Sequence, residues 1–159
     1  MVHQLVFDSR KIESNDVFIA QKGVAVDGHL FIDKAIAWGA TTIVCETLPE
    51  VKKEGVTFVQ VEDANLALAI MAANFYDNPS HKIPLIGITG TNGKTTIASL
   101  LYQLFKKAGY KVGLLSTVII KVDETDFKAT HTTPDSVSIN KDLNAMIDAG
   151  VDYSFLEVS

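Results

Sequence analysis

Cysteine is almost absent: the 159-residue chain has one, Cys45, which can form no disulfide within the chain. That excludes a disulfide-stapled scaffold and fits a reducing compartment, with Cys45 read as a packing residue at the end of the apolar run TTIV. Basic residues are not in excess, since 14 Lys and Arg stand against 19 Asp and Glu for a net charge of −5. The lysines are scattered, with only short pairs such as Lys52 with Lys53 and Lys106 with Lys107, so a nucleic-acid-binding surface is not expected. No apolar run approaches the roughly 18 residues of a membrane span, and the opening MVHQLVFDSR has no basic segment followed by a long apolar one. These absences lead to the expectation of a cytoplasmic protein with a small-molecule partner and no membrane or nucleic-acid role.

What is present reads as α/β, with 47% hydrophobic and 21% charged residues, enough for one domain or two small ones. VFIA (17–20), TTIVCE and VTFVQV are β-branched strand candidates. GHLFIDKAIAWGA places Leu30, Phe31, Ala35 and Trp38 at helical spacing and stops at Gly39. EDANLALAIMAANFYD is apolar around nearly its whole circumference and reads as a well-buried helix. NPSHKIP (78–84), with two prolines, breaks it. A domain boundary is placed there, giving units of 1–80 and 81–159.

The second unit begins with IPLIGIT, a continuous apolar strand of the kind found in parallel sheets. TTIASLLYQLFKKAG follows as a helix whose Ile97, Leu100, Leu101, Leu104 and Phe105 form one face. KVGLLST is then a strand, KVDETDFKATHTTPDS a polar stretch, SVSINKDLNAMIDAG a helix, and DYSFLEVS a last strand carrying Glu157 at its tip. This rhythm is that of a parallel α/β sheet, where ligands sit at the carboxyl ends of strands. A chain ending on such a strand tip is expected to be a fragment.

Between the first strand and helix of the second unit lies GITGTNGKTT (87–96). Phosphate binding needs inward-pointing backbone N–H groups, a helix N-terminus behind them and a cation. Gly90 and Gly93 allow the turn, Lys94 supplies the charge, and Thr95 puts a hydroxyl on the first helical turn, where it can ligate Mg²⁺. Six positions before the lysine, where the general phosphate-loop pattern has glycine, stands Ile88.

GTNGKTT resembles the ATP loop of the Mur ligases, cytoplasmic enzymes that add amino acids to the peptidoglycan precursor; their loop carries an apolar or hydroxyl residue at that position. Thr95 and Thr96 count against the related folylpolyglutamate synthetases, whereas the loop alone does not separate cyanophycin synthetases. Upstream, DSR, then F-x-A, then D-G-H-x-F-I-x-x-A and G-A resemble the first domain of those Mur ligases that add the third residue or the terminal dipeptide. Asp8 and Ser9 can also cap a turn, Asp27 and Gly28 form a turn dipeptide, and Gly39 is a helix stop. HTTPD (131–135) resembles the branch that adds the third residue, and FLEVS the start of its E-V-S-S-H strand end. The dipeptide-adding branch and a non-catalytic nucleotide-binding module remain as alternatives.

The resemblance implies a small N-terminal α/β substrate domain followed by the first part of a parallel-sheet P-loop ATPase domain. It implies ATP and Mg²⁺ as cofactors, with a UDP-N-acetylmuramoyl-dipeptide and an amino acid as substrates. ATP would phosphorylate the terminal carboxylate of the dipeptide, and the incoming amine would attack the acyl phosphate, with diaminopimelate or lysine as the added residue. Lys94 is then the catalytic cation, and Gly90, Thr91, Asn92, Gly93, Lys94, Thr95 and Thr96 bind ATP. Thr95 and Glu157 hold the metal. Phe7, Ser9, Val24, Ala25 and Val26 contact the uridine end of the substrate, and Thr132, Thr133 and Ser159 its muramoyl-peptide part. His3, His29 and His81 lack a metal-like mutual spacing and read as structural or surface residues. The full-length enzyme is expected to be a monomer, and the present chain alone inactive.

Overall fold

The computed structural model describes residues 2–23, 26–116, 119–122, 125–128 and 135–158. The chain divides into two compact units, Met1–Ala72 and Ala73–Ser159.

The first unit is built on a four-stranded, wholly parallel sheet in the order β1 (Leu5–Val6), β2 (Val17–Ala20), β3 (Thr42–Cys45), β4 (Thr57–Gln60). All four residues of β2 are buried, as expected of an internal strand in a parallel sheet, which is covered on both faces. Between β2 and β3 the chain makes a 3-10 turn, Gly28–Phe31, and then helix α1, Ile32–Ala37. Ile32, Ala35 and Ile36 of α1 pack with Phe18, Ala20, Ile43 and Cys45. The expected helical face is thereby corrected: Leu30 is 78% and Trp38 43% exposed. A 3-10 turn advances three residues per turn instead of 3.6, so the start of the segment is out of phase with the helix it feeds. Cys45 is fully buried, as its packing role required, and burial pushes its thiol pKa up.

Helix α2, Ala64–Phe75, starts within the first unit. It does not have the all-round burial its composition suggested. Ala64, Leu68 and Ala72 are buried at the four-residue spacing of one face, while Leu66 and Ile70 are more than half exposed. An α-helix lying on one surface can bury only a stripe, whatever its other faces carry.

The second unit has a five-stranded sheet in the order β5 (Leu85–Ile88), β9 (Tyr153–Glu157), β6 (Val112–Leu115), β7 (Ile119–Val122), β8 (Thr125–Lys128). β5, β9 and β6 are parallel, and β7 and β8 add an antiparallel hairpin to the β6 side. The second half of β7 and all of β8 fall in the stretch from Lys121 read from sequence as polar, and the hairpin makes the sheet mixed. Alternation of lysine, acid and threonine hides a strand whose pairing is decided by its partner. The last strand, β9, lies inside the sheet between β5 and β6, with backbone hydrogen-bonding partners on both sides.

Helices cover both faces of this sheet. On one, Ala98 and Tyr102 of α3 (Lys94–Lys107) pack with Ile88, Val112, Leu114 and Phe155, with Leu101 and Phe105 against them. On the other, Leu143 and Met146 of α4 (Ser136–Asp148) pack with Ile83, Leu115 and Val151. Of the face expected for α3, only Leu101 and Phe105 join this core; Ile97, Leu100 and Leu104 are 49%, 59% and 61% exposed. The helix has apolar residues on two adjoining stripes, and the small Ala98 lets the Tyr102 side approach the sheet most closely.

Candidate functional site

Two sites sit at the carboxyl ends of parallel strands, one in each unit. In the second unit, β5 ends at Ile88, and its neighbour β9 ends at Glu157 directly opposite, with Val158 N–H donating to the Ile88 carbonyl at 2.9 Å. From β5 the chain turns through the glycine loop into α3. Gly90 and Gly93 take φ of 147° and 79°, backbone conformations that disfavour a Cβ, and Gly93 stands at the N-cap with no side chain to satisfy the helix N–H groups. Thr91, Asn92 and Thr96 are exposed and Lys94 and Thr95 half-buried. The first turn of α3 itself carries no acidic residue, which suits an anion at the helix N-terminus.

Lys94 folds back over the loop, its Nζ donating to the Gly90 carbonyl at 2.8 Å. The ammonium is therefore held above the loop that a phosphate would occupy. The Thr95 hydroxyl donates to the Glu157 carboxylate, 3.0 Å from each oxygen, although the two residues are 62 positions apart in sequence. Glu157 is 7% exposed. Among the described residues no group of three or more His, Cys, Asp and Glu side chains could hold a metal ion. One carboxylate and one hydroxyl, both hard oxygen donors, suit Mg²⁺, which keeps waters and substrate phosphates in its shell and needs no all-protein cage.

In the first unit, a pocket of about 510 Å³ opens beyond the ends of β1 and β2. It is lined by Phe7, Asp8, Ser9 and Arg10 after β1, by Gln21, Gly23, Val26 and Gly28 after β2, and by Phe31 and Lys34. Phe7, Ser9 and Val26, three of the residues expected to contact a uridine, thus share one cavity. Asp8 caps the 3-10 turn Ser9–Lys11 by accepting from Arg10 N–H at 3.1 Å, and the Arg10 guanidinium binds the same carboxylate at 2.9 and 2.8 Å. That bidentate bond lowers the Asp8 pKa to about 2. Aromatic rings, two cations and a glutamine amide are chemistry suited to a base, a ribose and a diphosphate.

Comparison with known proteins shows the family of the chain that carries these two sites. The family profile described as "Mur ligase family, catalytic domain" matches residues 1–76, and that described as "Mur ligase middle domain" matches residues 88–159. The chain belongs to the Mur ligase family. It is 53% identical over 159 residues to a UDP-N-acetylmuramoyl-L-alanyl-D-glutamate--2,6-diaminopimelate ligase of Cytophaga hutchinsonii, covering 99% of this chain and 33% of that protein. A solved structure of a ligase bearing that same name superposes with a TM-score of 0.80 at 24% identity, over 99% of this chain and 32% of the other. A second, titled as the MurF ligase of Thermotoga maritima in complex with ADP, gives a TM-score of 0.60 at 28% identity, over 97% of this chain and 31% of its own. This Mur ligase chain therefore spans about a third of the length of the relatives it matches.

Several expected site residues of this Mur ligase chain lie outside the described residues: Val24, Ala25, Thr132, Thr133 and Ser159. Arg10, Gln21 and Lys34 line the first pocket without having been singled out from the sequence. A signal for two of them was available. Arg10 and Gln21 follow the carboxyl ends of β1 and β2, and the rule that ligands gather there applies to the first sheet as well as to the second. Lys34 carried no such signal, because its place on α1 depends on how that helix crosses the sheet. No helix among the described residues is long and apolar enough to cross a membrane.

Proposed function

We propose that this chain forms the nucleotide-sugar-binding part and the first portion of the ATP-binding part of an ATP-dependent amide ligase. The full protein would add the third amino acid to UDP-N-acetylmuramoyl-L-alanyl-D-glutamate in peptidoglycan biosynthesis. The observation that carries the reading is the meeting of Thr95, on the first turn after the glycine loop, with the buried Glu157 at the tip of the adjacent strand. A hydroxyl and a carboxylate beside a phosphate loop form the arrangement phosphoryl transfer needs, because the chemistry is mostly positioning and charge neutralisation.

In this reading Lys94 leaves the Gly90 carbonyl and neutralises the β and γ phosphates of ATP, while the amides of 90–96 cradle them. Thr95 and Glu157 would hold Mg²⁺, which supplies charge compensation between carboxylate and phosphates. Phe7, Ser9 and Val26, with Arg10 and Lys34 as the cations, would hold the UDP end of the acceptor. Val24 and Ala25 would complete that loop, and Thr132, Thr133 and Ser159 would contact the muramoyl-peptide end. The acceptor carboxylate is then activated as an acyl phosphate and attacked by an amine, diaminopimelate by analogy with the name of the Cytophaga hutchinsonii relative.

The test is a chimera in which this chain replaces the matching third of that relative. Phosphate release with UDP-N-acetylmuramoyl-L-alanyl-D-glutamate, ATP, Mg²⁺ and diaminopimelate is the expected result. Turnover only with the tripeptide precursor and a D-alanyl dipeptide would overturn it in favour of the dipeptide-adding branch. Nucleotide binding without turnover on either acceptor would favour a non-catalytic module.

A further inference from the structure

Gly23 and Val26, which line the first pocket, lie in the connection between β2 and the 3-10 turn. Lys22 and Asp27 pair across its base as an antiparallel bridge, and Gly23 N–H donates to the Val26 carbonyl at 3.1 Å. Gly28, just after the loop, donates to the Gln21 carbonyl at 2.7 Å, and a Cβ there would lie 2.7 and 2.8 Å from the Gln21 backbone oxygen and nitrogen. Only glycine permits so close a crossing.

Both feet of this loop are tied to one residue, Glu46, just past the end of β3. At the first foot, Lys22 Nζ lies 2.7 Å from a Glu46 carboxylate oxygen, and the other oxygen accepts the Ala64 N–H at 3.1 Å where α2 begins. Lys22 and the Ala64 N–H together hold the Glu46 carboxyl below the usual carboxylate range. At the second foot, the Asp27 carboxylate accepts the His29 N–H at 2.9 Å and lies 2.6 Å from His29 Nδ1. The far ring nitrogen, Nε2, then lies 3.0 Å from the Glu46 N–H and 3.3 Å from the Thr47 N–H.

Backbone N–H groups can only donate, so Nε2 must present its lone pair to them. The ring proton is left on Nδ1, where the Asp27 carboxylate accepts it. The His29 side chain is 14% exposed, so water is a poor substitute for either partner. His29 thus joins an acceptor at the loop's foot to two donors at the strand end, a combination no carboxylate or lysine could supply.

We propose that His29, fixed as the Nδ1-protonated tautomer, is a positioning residue that ties the Lys22–Asp27 bridge, and with it the pocket residues Gly23 and Val26, to the end of β3 and so sets the pocket's affinity for the UDP end of the acceptor; this rests on the assignment of that pocket to UDP. Glu46 completes the lock through its side chain at Lys22 and its backbone at His29.

The test uses the chain itself, with nitrogen-15 histidine spectra and titration with UDP. The wild-type spectrum should show His29 with a protonated Nδ1 and an unprotonated Nε2, assigned by its loss in His29→Gln. His29→Leu, which has neither donor nor acceptor, should weaken UDP binding about tenfold or more. His29→Gln, whose amide oxygen can still accept from Glu46 and Thr47, should recover most of that loss. Glu46→Gln keeps both backbone N–H groups but removes the charge facing Lys22, and should weaken UDP severalfold even if the leucine variant does not fold. A proton on Nε2, or native-like leucine and Glu46→Gln variants that bind UDP as the wild type does, would overturn the proposal. Failure of the wild type to bind UDP despite the stated tautomer would instead overturn the assignment of the pocket, and with it the binding half of the inference.

Discussion

Replacing Thr95 by valine keeps the branched shape of the side chain and removes only its hydroxyl. In the folded chain that hydroxyl is 3.0 Å from both oxygens of Glu157, a carboxylate only 7% exposed. A hydrogen bond to a charged group contributes about 1.5–3 kcal/mol, and a buried acceptor that loses a donor is not rehydrated without cost. For a domain of this size each kcal/mol corresponds to about 4–8 °C in Tm. Thr95→Val should therefore lower the Tm of the unit carrying it by roughly 6–24 °C, whereas Thr95→Ser, which keeps the hydroxyl, should stay within a few degrees of the wild type. Thermal unfolding followed by circular dichroism reads this directly. The same experiment with ADP separates structure from ligation: adding Mg²⁺ should raise the Tm of the ADP-bound wild type and serine variant but not of the valine variant. Equal melting of the valine and serine variants, with equal response to Mg²⁺, would refute the pairing of Thr95 with Glu157 as both a stabilising contact and a metal site.

Lys94→Ala should leave the Tm nearly unchanged, because its contact is to an exposed loop carbonyl, yet weaken ADP binding by roughly 10- to 100-fold through loss of a charge-assisted bond; fluorescence titration with a labelled ADP checks it. Gly113→Ala should destabilise by about 1–3 kcal/mol, since its Cβ would come within 2.3 Å of the buried Met146 sulfur; combining it with Met146→Ala should cost less than the sum of the two, as measured by chemical denaturation. Asp8 has a folded pKa of about 2 against 3.8, so its contribution is present above about pH 4 and disappears as pH falls through 2. Because Arg10 is 80% exposed, solvent screens the pair and that contribution is small, so the better readout is a carboxyl NMR titration in which Arg10→Ala moves Asp8 back toward its ordinary value.

The two candidate sites were legible in the sequence to different degrees. The glycine loop is local: its turn, cation and hydroxyl lie within ten residues, so strand-to-helix context and residue type suffice to identify a phosphate site. The pocket of the first unit was legible only in part, because Phe7, Ser9 and Val26 stand in or beside recognisable motifs while Lys34 enters from a helix on the sheet. His29 was read as a structural or surface residue, and its two hydrogen-bonding sides could not be seen before β3 was placed beside its turn.

Most of the order of strands and helices, the position of the glycine loop and the family were legible from local sequence, because periodicity, glycine placement and short motifs are properties of neighbouring residues; β1 and the β7–β8 hairpin were not. Tertiary packing settled which stripes of α2 and α3 are buried, that a hairpin reaches into the polar stretch after β6, and that the last strand runs inside its sheet. It also decided that Thr95 and Glu157 share a hydrogen bond and that Lys22, Asp27 and His29 converge on Glu46. Those contacts join residues far apart in sequence, and their partners are selected by the packing of sheets and helices, which no local pattern encodes.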